Sequence, residues 1–361
     1  MSSRGIICFT NPDQIRYIYD LGIYGNVSSG DRPRKDIPQS VMAARKIRFG
    51  KLKDLLNLAP GNLVFFFEKN ESKLHGVWQI CDEPFFVTSP ALGKGDSYPY
   101  RFYMQRFLNF PDTVPVMELR KYLDKDIIWS MRTFEREVGA SFFSINPIST
   151  EETDALLDLF YTYNHRIDAS SNIDLFEHPP LKRSINFCDL VLTNRYSSPS
   201  PLIVKANNFG QYLEGVPYED AIHCCLIFNL VRGSKHMRTT FGNYKEVLRE
   251  VPVSSAGQHR IDIVLIYENP KTQKPSVFSL IEIKRGLVNV NMLKQLLDYI
   301  KLFSKRHNLD TNSLEGIYIG SDFDSEAKDY AEKRGMVETE RPLRLIKYEL
   351  EENELVLYQA Y

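Results

Sequence analysis

Two neighbouring apolar runs, each with an acid in its interior, constrain this chain more than anything else in it. Residues 260–267 read RIDIVLIY and residues 277–284 read VFSLIEIK, with a polar stretch at 269–275 between them. Both runs are β-branched and alternating, so the spacing predicts two strands joined by a turn. An aspartate within so apolar a strand, Asp262, is costly to bury unpaired. Glu282 and Lys284 share one strand face because side chains repeat with period two, which leaves Ile281 and Ile283 to pack on the other. If the strands pair, Asp262 and Glu282 converge on one point. Two carboxylates with a backbone carbonyl suit a hard, oxygen-seeking cation such as Mg2+, with Mn2+ as its substitute. Lys284 beside them could orient or deprotonate a water and stabilise a crowded phosphate.

A bare D…E-x-K pattern also arises on ordinary solvent-facing strands. The surroundings add to it. Glu219 opens a predicted helix at 218–231 and could supply a third acid. Gln295 and Tyr299 lie four apart, hence on one face, of an amphipathic helix predicted at 290–307. A strand at 316–320, a helix at 325–334 and strands at 343–349 and 355–358 follow. This order predicts an α/β arrangement around a mixed sheet.

With these residues in place, the stretch from about 215 to 340 resembles the PD-(D/E)XK nuclease superfamily, in its RecB-like and NucS-like branch. The family's acidic helix, G-x-x-D, E-x-K and Q-x-x-x-Y are matched by Glu219, by Gly257 with Asp262 at a wider spacing, by Glu282 with Lys284, and by Gln295 with Tyr299. The resemblance implies that Asp262, Glu282 and the Ile283 carbonyl bind Mg2+. It implies that Glu219 helps through water and that Lys284 acts on the nucleophile. Gln295 and Tyr299 would support the site or the DNA backbone.

The first 110 residues carry a different signal. Residues 5–9, 63–68, 74–80 and 98–104 read as strands, with helices at 12–21 and 50–58 between them. The pattern turns helical at 115–123, and a helix after a Thr150 cap follows. The many rings here, Trp78 and Tyr100 among them, fill a barrel core on the simplest reading. Aromatic walls can also hold a base drawn out of its stack. The Pro60-Gly61 entry, the Gly76 strand and Tyr98-Pro99-Tyr100-Arg101 resemble the PUA-like group, above all its DCD, EVE and YTH domains. That resemblance implies a reader of nucleic acid, often of a modified base, and singles out Trp78, Tyr100 and Arg101. Arg45, Lys46 and Arg48, with Lys51 and Lys53, form a basic run beside Phe49. It could meet phosphates or simply be a solvated helix face.

The expected organisation is α+β in two domains. A PUA-like β-barrel with a helical extension occupies 1–170, a Ser- and Pro-rich linker 171–204, and a restriction-endonuclease-like mixed sheet flanked by helices 205–361. With a formal net charge of −1, any DNA contact must come from local patches. The five cysteines form no C-x-x-C pair, which fits reduced thiols and a cytoplasmic setting. No apolar run reaches membrane-spanning length, and the N-terminus reads as a strand and not a signal peptide. The expected partner is double-stranded DNA, modified or irregular, and a homodimer would suit paired cuts.

Overall fold

The computed structural model describes residues 4–26, 50, 52–86, 100–131, 145–167, 200–201, 219–254, 259–269, 271–272, 275–336, 343–351 and 354–360. Gly257, Arg45, Lys46, Arg48, Lys51, Tyr98, Pro99 and most of the expected linker lie outside the described residues. The chain divides into two compact units, Met1–Ile203 and Val204–Tyr361, each with a mixed sheet and helices, so the class is α+β.

In the first unit, strand β1 (Gly5–Thr10) lies between β3 (Leu63–Glu68), parallel to it, and β8 (Ile145–Ile148), antiparallel. The order continues from β3 through β4 (Lys73–Ile80) and β6 (Tyr100–Arg106) to β5 (Phe85–Phe86) and β9 (Ser200–Pro201). β2 (Ile23–Asn26) joins on β6, and β7 (Val114–Pro115) on β4. Every residue of β1 and β3 is buried, as a continuous apolar run requires when both sheet faces are covered. Alternation sends Phe65 and Phe67 to one core, with Ile7, Phe9 and Phe160, and Val64 and Phe66 to the other, with Ile6, Cys8, Trp78 and Phe102. Helix α1 (Pro12–Leu21) is capped by the Asn11 side chain and ends on Gly22 in the left-handed region. Helix α2 (Val116–Asp124) follows β7. Helix α3 (Thr150–Ile167) starts one residue earlier in its capping than the sequence suggests. Ser149 Oγ accepts from the Glu152 amide, and Glu152 reaches back to the Ser149 amide, a capping box.

The second unit has the strand order β10-β11-β12-β14-β16-β17. β10 (Glu246–Pro252), β11 (Arg260–Glu268) and β12 (Pro275–Ile283) form an antiparallel meander. β14 (Leu314–Gly320) and β16 (Leu343–Glu351) continue it in parallel, and β17 (Glu354–Gln359) closes the edge antiparallel. Helix α4 (Glu219–Val231) and the short α5 (Lys235–Phe241) precede the sheet. A short parallel pair, β13 (Leu287–Val288) with β15 (Asp322–Phe323), stands apart from it. The crossovers are α6 (Val290–His307) and α7 (Ser325–Gly335). The buried stripe of α6, Leu293, Leu296, Leu297, Ile300 and Phe303, faces the core. Its seat on the sheet is close: a Cβ on Gly316 of β14 would stand 2.8 Å from Ile300 Cδ1 and 2.6 Å from Leu343 Cδ2.

Candidate active site

The β11–β12 register, Ile263 opposite Ile281, places Asp262 opposite Glu282 one step further along. Glu282 in turn pairs with Tyr318 of β14. Asp262 Oδ2 accepts the Ile283 amide at 2.9 Å, so the aspartate is held over the end of β12. Glu282 is only 8% exposed, and its Oε1 has no hydrogen-bond partner among the described residues. Burial, with the Asp262 carboxylate next in importance, pushes the Glu282 carboxyl up to about 9. Across the pair stands Lys284, whose amide is fixed on the Ile319 carbonyl. Its ammonium lies 3.5 Å from Glu219 Oε1, and Glu219 Oε2 also accepts the Arg285 amide at 3.4 Å. Burial works against this ammonium, but Glu219, Asp262 and Glu282 outweigh it and hold its pKa above the ordinary lysine value.

Glu219, Asp262, Glu282 and Lys284 are therefore brought together. Gln295 donates to the Tyr299 hydroxyl at 2.7 Å on α6. The Tyr299 phenol is raised, first by burial and then by Glu282. Two further residues belong to the neighbourhood. His223, one helical turn beyond Glu219, has its Nε2 3.6 Å from Asp262 Oδ2, and the i, i+4 spacing was its only trace in the sequence. Tyr318 is buried beside Glu282, where burial and the acids raise its phenol.

Among the described residues no three His, Cys, Asp or Glu side chains stand close enough to hold a metal ion by themselves. A cation between Asp262 and Glu282 would need main-chain oxygen or water to complete its shell. The all-oxygen donor set fits a hard divalent ion, and the orphaned buried Glu282 Oε1 is a polar atom that such an ion would satisfy.

The candidate reader residues are placed differently. Trp78 and Arg101 are each 1% exposed. Trp78 lies edge-on to Phe66 and to Tyr19, with the Arg106 guanidinium 5.7 Å from its ring. Both are core residues in this structure, so a base could touch neither without moving the side chains above. Tyr100 lies in β6, where only its backbone is described.

No protein-family model matches the chain, and no curated protein does. Solved structures do match. A repair endonuclease from Pyrococcus abyssi aligns over 34% of this chain and 46% of its own, at 18% identity and a TM-score of 0.24. This chain thus spans less than half of that enzyme. Human THYN1, solved with DNA containing 5-methylcytosine, aligns over 44% of this chain and 98% of its own, at 16% identity and a TM-score of 0.26. The MspJI restriction endonuclease, solved with a 27-mer oligonucleotide, aligns over 94% of this chain and 72% of its own, at 12% identity and a TM-score of 0.22.

The chain is α+β, and the acid pair and lysine of its second unit stand on and beside adjoining strands of a mixed sheet.

Proposed function

We propose that this chain is a divalent-metal-dependent endodeoxyribonuclease that hydrolyses phosphodiester bonds in duplex DNA. In this reading the first unit selects the target through a modified base, and the biological role is restriction of foreign DNA. The observation that carries the catalytic part is the Asp262–Glu282 pair, with the buried Glu282 Oε1 unsatisfied among the described residues and the Lys284 ammonium alongside. Asp262, Glu282 and the Ile283 carbonyl would hold Mg2+, whose chemistry is Lewis acidity toward the phosphoryl group and toward water. With Glu219 at 3.5 Å and the acid pair beside it, the Lys284 ammonium is held above the ordinary lysine pKa and stays charged at neutral pH. It has no lone pair to take a proton, so its part is to orient the attacking water and offset charge growing on the phosphate. Glu219 fixes the ammonium in that position. Gln295 and Tyr299 offer hydrogen bonds at the margin of the pair, where a phosphate of the substrate would lie.

The test is digestion of modified, unmodified, mismatched and branched DNA by the full chain with Mg2+. Cutting of modified duplex alone is the expected result. Asp262→Asn and Glu282→Gln should abolish it while DNA binding persists, and Lys284→Met should slow it about 10²–10³-fold. Undiminished cutting by either acid variant refutes the site. Cutting restricted to mismatched or branched DNA replaces restriction with repair, and binding without any cutting makes the chain a non-enzymatic reader.

A further inference from the structure

His259 stands directly ahead of β11, three residues before Asp262. Its carbonyl accepts the Val253 amide at 3.0 Å, which carries the β10–β11 ladder one step past the Pro252–Arg260 pair and fixes its backbone. The side chain is exposed. Its imidazole lies against the Tyr299 ring of α6, with centroids 5.6 Å apart and planes at 35°. The ring nitrogens have no hydrogen-bond partner among the described residues.

Alternation and register set this contact on the sheet face of the acid pair. Leu280 of β12 pairs with Gly316 of β14 and with Val264 of β11. A Cβ on Gly316 would stand 2.8 Å from Ile300 Cδ1 and 3.6 Å from Leu296 Cδ2, so α6 covers the face that carries Gly316, Leu280 and Val264. Asp262 and Glu282 lie two residues from Val264 and Leu280, hence on that same face. On α6, Tyr299 and Gln295 immediately precede Ile300 and Leu296, and a hydrogen bond joins them. His259 extends the Gln295–Tyr299 row to the open start of β11. Three strand residues separate it from Asp262, roughly 10 Å. A nucleotide advances only about 3.4 Å along a duplex, so with a phosphodiester at the acid pair the imidazole is level with a flanking phosphate of the backbone. The cations nearby are engaged: Arg260 is half-buried under the charge of Glu250, and Lys284 lies against Glu219. An imidazole has an N–H to offer in either protonation state, and donors to phosphate oxygen fix the register of a DNA strand without reading its bases.

We propose that His259 is a DNA-contacting residue of the second unit, its exposed imidazole seated on Tyr299 and donating to a backbone phosphate that flanks the cleaved one. This rests on the endonuclease reading above. His259 does not touch the reacting group. It sets how the strand lies across the acid pair, so its contribution is to substrate binding and not to the chemical step.

The experiment uses the full-length chain and a duplex that it cuts. Cleavage with Mg2+ gives kcat and KM, and fluorescence anisotropy without divalent ions gives Kd. Two substitutions separate the phosphate contact from the ring packing. His259→Phe keeps a ring on Tyr299 and removes the N–H, whereas His259→Gln removes the ring and keeps an N–H donor. His259→Phe should raise KM and Kd about 10-fold, as losing a hydrogen bond to a charged group does, with kcat nearly unchanged. His259→Gln should recover most of that loss. Wild-type behaviour in His259→Phe, or no recovery in His259→Gln, overturns this proposal alone. A wild-type chain that cuts none of modified, unmodified, mismatched or branched DNA overturns the endonuclease reading and this proposal with it.

Discussion

His75 in the first unit has its Nε2 2.9 Å from Glu68 and its Nδ1 3.1 Å from the Tyr19 hydroxyl. Burial lowers its pKa below the ordinary imidazole value, and the Glu68 hydrogen bond opposes that only in part. The folded chain therefore holds fewer protons here than the unfolded one, which titrates near ~6.5. Stability from this group is present above that pH and is lost as pH falls toward the depressed folded pKa. The thermal midpoint should drop between neutral pH and about pH 5 by a component that His75→Gln removes, and scans of both proteins across that range measure it. An equal drop in the variant would show that other groups control the acid limb. A second buried acid, Glu152, behaves differently. Burial raises its carboxyl, while the Ser130 hydroxyl and the Ser130, Ser149 and Trp129 amides pull it back.

Among the elements, β14 and α6 depend on one small residue. Gly316→Ala would drive a methyl group against Leu343, a packed core residue of β16, and against Ile300 of α6. Overpacking of this kind destabilises by about 1–3 kcal/mol, and urea unfolding of the variant should show a loss in that range. The elements nearest to their expected bounds are those with an uninterrupted period. Val290–His307 has a clean apolar stripe between the Asn289 cap and left-handed Asn308, and Leu63–Glu68 is one apolar block. β10 is not legible, because Glu246, Arg249 and Glu250 break the alternation that would mark it, and only pairing with β11 makes it a strand. β2 and β8 are four residues each, too short for a pattern. Ser149 and Thr150 are both cap-forming types, and only the geometry shows which hydroxyl is used. The facing of Asp262 and Glu282 follows from period two within a hairpin, so it is readable. The place of His223 is set by helix docking, which a linear pattern does not carry.

For the whole molecule, each unit is stabilised by its own buried residues. Trp78 belongs to the core that also contains Phe66, Phe102 and Met104. Trp78→Ala should thus act first on stability, by about 3–5 kcal/mol, and denaturant unfolding should show this loss. A variant that keeps full stability and loses only target choice would return Trp78 to the surface role suggested by the PUA-like resemblance. At residue 106, by contrast, the guanidinium lies 4.7 Å from the ring of Tyr19, a partly exposed residue. With cores on both sides of β1 and β3, the broad faces of the central strands in the first unit are already occupied from within. A ligand of that unit, in the reading proposed above, would have to meet strand ends or the outer surfaces of helices and not the faces of these two strands.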